Sequence, residues 1–240
     1  MRSRPFLVVG AALVSFSHIA RAQSGDRLAG GLRAGDYVRI SGGVTTPVNP
    51  QGSLKDWSTG TGLNVGWENW QQGGTGVGRL GISINLSYTL LPLDESQFLS
   101  DFTPIQGAKP TSAHASDAGI LELATNLRLR IPSPLIIPTI NFGVGFMNWM
   151  PATIDYNSPT GAGSAKQRHR SGAELTIGGG VERHLVDRYG VFAEAVYAYG
   201  FTSIGQGSAA PGGVCGTNSC DVLKNTSIAT LRGGVSVRVR

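Results

Sequence analysis

The chain is poor in three things: cysteine, charge and, beyond its first segment, long apolar runs. Two cysteines in 240 residues are too few for a disulfide scaffold or a structural zinc site. Charged residues make up 15% against 40% hydrophobic, with a formal net charge of only +5. Intrinsic disorder needs the opposite balance, so it is excluded. No stretch after Gln23 approaches the roughly 20 consecutive apolar residues of a membrane-spanning helix. Glycine, by contrast, is abundant at 35 residues. It follows no Gly-x-y period, which rules out collagen, and inside helices each glycine costs about 1 kcal/mol. An all-β domain is therefore expected.

The first segment reads as an address. Arg2 and Arg4 precede an apolar stretch from Pro5 to Ala20, and Ala20, Arg21 and Ala22 form the small-x-small pattern of a secretory cleavage site. The expectation is a signal peptide over 1–22, cut between Ala22 and Gln23, then a short periplasmic segment over 23–36. Removing Arg2, Arg4 and Arg21 takes the 20 basic residues to 17 against 15 acidic, a mature charge of +2. Such a small excess gives nucleic-acid binding no support.

The remainder alternates with a period of two. From Arg79 to Leu90, Leu80, Ile82, Ile84, Leu86, Tyr88 and Leu90 interleave with Arg79, Gly81, Ser83, Asn85, Ser87 and Thr89. Successive strand side chains point to opposite faces, so one face is apolar and the other polar or small. The same parity recurs over Tyr37–Val44, Leu63–Trp70, Leu121–Ile131, Thr139–Trp149, Ala173–Leu185, Val191–Phe201 and Ala229–Val239. These segments run to about 10 residues, the length of a tilted membrane-spanning strand.

The polar faces carry mostly Gly, Ser, Thr and Asn, with Arg39, Arg79, Arg128, Arg130, Arg232 and Arg238 against Glu68, Glu122, Glu174, Glu182 and Glu194. A near-balanced set of arginines and glutamates suits a desolvated interior, where the planar guanidinium fork pairs with carboxylates. Connections also alternate in length. Those at 47–60, 91–118, 150–171 and 202–226 are long; those at 71–78, 132–136 and 186–190 are short. These features predict an all-β, eight-stranded antiparallel transmembrane β-barrel over 37–240, with short periplasmic turns and long extracellular loops. Aromatics near strand ends then form two interfacial girdles: Tyr88, Trp149, Tyr199 and Phe201 on one side, Tyr37, Trp70 and Tyr189 on the other. The Gly-Gly-Val triplets at 42–44, 179–181 and 233–235 read as a packing repeat of a narrow, curved barrel, not as a phosphate loop.

On these grounds the chain resembles the small eight-stranded outer-membrane barrels of Gram-negative bacteria, the group that includes the OmpA transmembrane domain, OmpX and OmpW. The resemblance covers nearly all of the mature chain and implies residence in the outer membrane, with its lipids and its assembly machinery as partners. The ending Val237, Arg238, Val239, Arg240 departs from the aromatic terminal residue usual in such barrels.

The reading for function is a non-enzymatic barrel with a charge-plugged interior, acting structurally or through its extracellular loops. The alternative is a small OmpW-like channel or carrier for apolar solutes, with the apolar 91–118 loop (Phe98, Phe102, Pro104, Ile105) as gate, mouth cover or partner surface. A third is a lipid-modifying enzyme built on His169 and Ser171. It is disfavoured because Gly172 follows the serine and Glu182 has the opposite parity. The same stretch, Lys166 to Arg170, reads more simply as a basic stem that contacts lipid headgroups or solvent. The histidines and cysteines have no metal-ligand spacing, so neither metal nor cofactor is expected. Cys215 and Cys220, in the last long loop, form a candidate disulfide outside the cytoplasm.

Overall fold

The structure is a computed structural model, and it describes residues 34–48, 52–71, 78–102, 109–133, 135–166, 169–186, 188–201 and 225–239. The signal peptide with its cleavage point between Ala22 and Gln23, the Cys215 and Cys220 pair, and Pro104 and Ile105 lie outside these residues.

Among the described residues eleven strands form: β1 Gly35–Pro47, β2 Gly60–Trp70, β3 Arg79–Leu91, β4 Ser112–Ala115, β5 Ala118–Arg130, β6 Ile137–Met150, β7 Thr153–Ser158, β8 Gly161–Lys166, β9 Arg170–Val186, β10 Tyr189–Phe201 and β11 Thr226–Arg238. Eight of them close on themselves in the order β1-β11-β10-β9-β6-β5-β3-β2, each antiparallel to both neighbours. Closure leaves no barrel strand with an unpaired edge, the condition for a β-structure in lipid.

The period of two becomes an inside and an outside. Ile40, Leu63, Leu127, Phe142, Val144 and Ile177 point outward and are exposed, whereas Arg39, Asn64, Asn126, Arg128, Asn141 and Thr176 point into the lumen and are buried. An apolar exterior around a polar interior is the inverse of a water-soluble protein. It is the arrangement of an outer-membrane barrel, with the lipid as solvent for the outer face.

The glycine triplets obey the same parity. The second glycine of each faces inward at a crowded point. A Cβ on Gly43 would strike the backbone and Cβ of Arg232, one on Gly180 would meet the Glu194 Cβ at 2.6 Å, and one on Gly234 would strike Ser41. Gly43 and Arg232, Gly180 and Glu194, and Gly234 and Ser41 are register partners on adjacent strands. The larger side chain thus lies across its partner glycine, as a narrow lumen requires. The first glycines, Gly42, Gly179 and Gly233, face outward with no atom nearer than 3.3 Å to an added Cβ.

The long connections carry structure that strand periodicity did not reveal. A 3-10 turn spans Gly52–Asp56, and helix α1 spans Glu95–Asp101, its first turn capped by Asp94, whose carboxylate accepts the Gln97 N–H. β7 and β8 form a hairpin whose turn leads into Gly161 at φ +132, a conformation that disfavours side chains, and β4 joins β7 to make a three-stranded sheet. These pieces are shorter than the barrel strands and pack over one end of the barrel.

A plugged and capped lumen as candidate functional site

From the end with short turns to the end with long connections, the lumen holds three layers: a charged plug, a polar chamber and an apolar cap.

The plug is built by six strands, each contributing one or two long side chains of lumen parity. Glu68 (β2) accepts hydrogen bonds from Arg39 (β1) at 2.8 Å and the Trp70 indole at 2.9 Å, and its Oε1 is 2.9 Å from Arg128 (β5). Glu194 (β10) accepts from Arg128 at 2.8 Å, Arg39 at 3.2 Å and Arg232 (β11) at 2.5 Å. Glu182 (β9) accepts from Arg130 at 2.7 Å and from Ser236 at 3.1 Å. Ring faces complete the desolvation: the Arg39 guanidinium lies 3.3 Å from the Phe192 ring centroid, and that of Arg130 lies 3.8 Å from Trp70. Arg39, Glu68, Arg128, Arg130, Glu182 and Glu194 are all buried. Such charges are tolerable only because they are paired and stacked.

The remaining members of the predicted charge set lie elsewhere in the lumen. Arg79 is buried at the short-turn end as the register partner of Arg130, and Arg238 is half-buried at the same end. Glu122 and Glu174 stand apart from the plug, nearer the opposite mouth and close to each other, with Arg232 the cation that acts on Glu122. Near-balanced pairing of all five glutamates does not occur, because β5 and β9 place these two across β6 from one another, Glu122 opposite Met147 and Glu174 opposite Gly145.

Above the plug lies a chamber of about 40 Å³. Ser41, Asn64, Asn85, Asn126, Asn141 and Thr176 contribute to its wall. Asn126 accepts from Thr176 at 2.6 Å, and Asn64 donates to Ser87 at 2.8 Å.

The cap is a cluster in which Leu91, Ile120, Met147, Trp149, Ala198 and Ile228 at the barrel rim meet Leu54, Trp57, Phe98 and Ile154 from the connections above. Trp57 packs edge-on to Trp149 at 6.0 Å between ring centres, and Phe102 bridges Phe98 and Tyr156. Phe98 and Phe102 of the 91–118 connection therefore cover the mouth. Between Leu54 and Trp57 of this cluster, Asp56 is half-buried, and that burial lifts its carboxyl from 3.8 to about 6. Two acids near it, half-buried Asp94 and exposed Asp101, move the other way: hydrogen bonds from Gln97 and Ser96 lower Asp94, and those from Lys55 and Gln97 lower Asp101.

Two further expectations need correction. Trp149, Tyr37 and Trp70 are not girdle residues: they are 0%, 2% and 2% exposed and point into the lumen. The parity signal was available for all three, since Tyr37 shares the face of Arg39, Trp70 that of Glu68 and Trp149 that of Asn141. Tyr88, Tyr189 and Phe201 do face outward and are exposed, and Tyr199 is half-buried. Arg170, expected in a solvated or headgroup-contacting stem, is buried at the start of β9. His169 and Ser171 beside it are exposed, whereas Glu182 belongs to the plug, so the candidate enzymatic trio is not assembled. His114 lies exposed on β4, and His184 is half-buried, 3.7 Å from Glu182. Among the described residues no group of three His, Cys, Asp or Glu is placed to hold a metal ion.

No protein-family model matches the chain, and no curated protein matches it significantly. Among solved structures it is similar to the outer membrane protein OprG of Pseudomonas aeruginosa, at 11% identity and a TM-score of 0.48 over 89% of this chain and 100% of that one. Neisserial surface protein A matches at 10% identity and a TM-score of 0.47, over 85% of this chain and 97% of that one. The outer membrane enzyme PagL matches at 14% identity and a TM-score of 0.41, over 85% of this chain and 99% of that one.

Proposed function

We propose that this protein is a non-conducting, non-enzymatic outer-membrane barrel that acts as an envelope scaffold and presents its capped end to the exterior. The observation that carries this reading is the plug. Five strands send Arg39, Glu68, Arg128, Arg130, Glu182 and Glu194 into the lumen, where each is at most 2% exposed. An eight-stranded barrel has an interior just wide enough for side chains to fill, and here they fill it with paired charges whose separation is unfavourable. The apolar cap supports the same reading, since its rings are engaged with one another and with the rim. The alternative of a carrier for apolar solutes has less support, because Phe98 and Phe102 of the 91–118 connection are engaged in the cap. Functional contact with the surroundings then falls to the lipid-facing belt and to the polar outer surface of the β4-β7-β8 sheet, where His114, Asp155 and Asn157 are exposed.

Liposome swelling tests the proposal. Vesicles carrying the refolded protein should swell in small neutral sugars no faster than empty vesicles. Solute-size-dependent swelling would reject the sealed lumen, and loss of an acyl chain from lipid A on expression would reject the non-enzymatic reading.

A further inference from the structure

The outward rows of the barrel are nearly free of charge. Among the described residues, the eight barrel strands place only Asp36 and Arg183 on the lipid-facing parity. Asp36, near the start of β1, is half-buried, and its Oδ1 accepts a hydrogen bond from the Asn69 side chain at 2.7 Å. Arg183 of β9 has no such relief. It is exposed, and no carboxylate or other acceptor among the described residues engages its guanidinium.

The surroundings of Arg183 are apolar on every side. Val181 precedes it on the same row and Leu185 follows it, 45% and 58% exposed. Its register partner on β10 is Val191. On the other flank β6 begins at Ile137 opposite Glu182, which brings exposed Leu135 and Ile136 of the preceding turn level with Arg183. Leu135, Leu185 and Tyr189 continue the apolar surface past Arg183 toward the short-turn end, so the guanidinium lies within the lipid belt and not beyond it. At about 3.3 Å per residue, roughly 10 Å of strand separates Arg183 from the end of β9 at Val186. That places it at the headgroup margin of the belt, where a charge is far less costly than at the bilayer centre and where tyrosines such as Tyr189 also settle. A second exposed cation, Arg188, stands in the turn that joins β9 to β10, and no carboxylate among the described residues pairs with it either.

We propose that Arg183, supported by Arg188, binds the phosphate of an anionic phospholipid in the leaflet that meets the short turns. The planar guanidinium fork presents two parallel N–H groups to two phosphate oxygens, a geometry that a solvated ammonium does not supply. Leu135, Ile136 and Leu185 then lie against the first methylenes of the acyl chains. Charge selects the lipid: two cations without carboxylates favour a headgroup with a net negative charge over a zwitterion that carries its own cation. The proposal rests on the capped end facing the exterior, which makes this leaflet the periplasmic one, composed of phospholipid.

The test uses the full mature chain refolded in non-ionic detergent, where the outcome depends neither on orientation nor on a sealed lumen; liposome swelling reports on the lumen separately. Native mass spectrometry compares phosphatidylglycerol with phosphatidylcholine of the same acyl chains. The first phosphatidylglycerol should bind about tenfold more tightly, the worth of one charge-assisted hydrogen bond, and inorganic phosphate at the same concentration should not displace it. Arg183→Gln should erase the preference, Arg183→Lys should keep part of it, and Lys55→Gln on the cap should leave it intact. Gel mobility before and after boiling establishes that each variant is folded. Equal retention of the two lipids by wild type, or a preference that survives Arg183→Gln, overturns the proposal, since the guanidinium is then met by interfacial water. Displacement by inorganic phosphate overturns it as well, because the site would then recognise the free ion and not the lipid.

Discussion

Neutralising Glu194 is the sharpest perturbation of the plug. Its carboxylate receives three arginines, Arg39, Arg128 and Arg232, from three different strands, and it is 2% exposed. Glu194→Gln keeps the shape and one acceptor oxygen but removes the charge that all three guanidinium groups face. Breaking a buried ion pair from one side costs about 3–5 kcal/mol, because the orphaned charge stays desolvated. Arg39 and Arg128 retain Glu68, at 2.8 and 2.9 Å, which should hold the loss toward the lower end of that range. Arg232 retains no glutamate at ion-pair distance among the described residues. A second change, Arg232→Gln in the Glu194→Gln background, should therefore restore stability, with a coupling of about 0.5–3 kcal/mol. Reversible urea unfolding in lipid vesicles, followed by tryptophan emission and gel mobility, measures both. A Glu194→Gln penalty below about 1 kcal/mol, the range of a solvated pair, would refute the claim of a desolvated network.

Further outcomes follow from other layers. Gly180→Ala places a methyl against the Ala193 carbonyl and the Glu194 side chain and should cost about 1–3 kcal/mol, whereas Gly233→Ala, on the lipid face, should change the urea midpoint little. Trp149→Ala removes a fully buried ring from the cap and should cost about 3–5 kcal/mol in the same titration. It should still not admit sugars in the swelling assay, because the plug lies below. Asp56 has a folded pKa of about 6 against 3.8, so the cap stability tied to its neutral form is fully present below about pH 3.8 and is lost as pH rises through about 6. Hydrogen exchange of the Asp94 amide, which donates to the Asp56 carbonyl, should speed up over that interval in wild type and stay level in Asp56→Asn. Asp94→Ala removes the α1 cap and should cost about 0.5–2 kcal/mol, seen as faster exchange in α1 with the barrel strands unchanged.

What could be read directly from the residues is the barrel. Alternation in Arg79–Leu90 or Leu121–Ile131 already assigns each side chain to lipid or lumen, and the register of β3 with β5 preserves that assignment pair by pair. The eight expected strands form with ends shifted by only a few residues, since a period of two over a dozen positions leaves little freedom. The interior charges were legible as a set, but their partners were not. Pairing depends on which strands meet around the closed sheet and on where glycines leave room, so Glu194 gathers three arginines while Glu174 meets another acid. Trp149, Tyr37 and Trp70 lie near strand ends, where girdle aromatics also fall, and only their shared parity with lumen residues sets them apart. The cap left the faintest trace: α1 has seven residues and β4 four, and neither presents enough of a period to be distinguished from loop.

The central claim is that paired side chains close the lumen, and single-channel recording in planar bilayers tests it most directly. Wild type should give a flat baseline at every holding potential, and the double variant Glu68→Gln with Glu194→Gln, which strips the plug of two of its three arginine-bound carboxylates, should give discrete openings. Reproducible conductance steps from the unaltered protein would contradict the account.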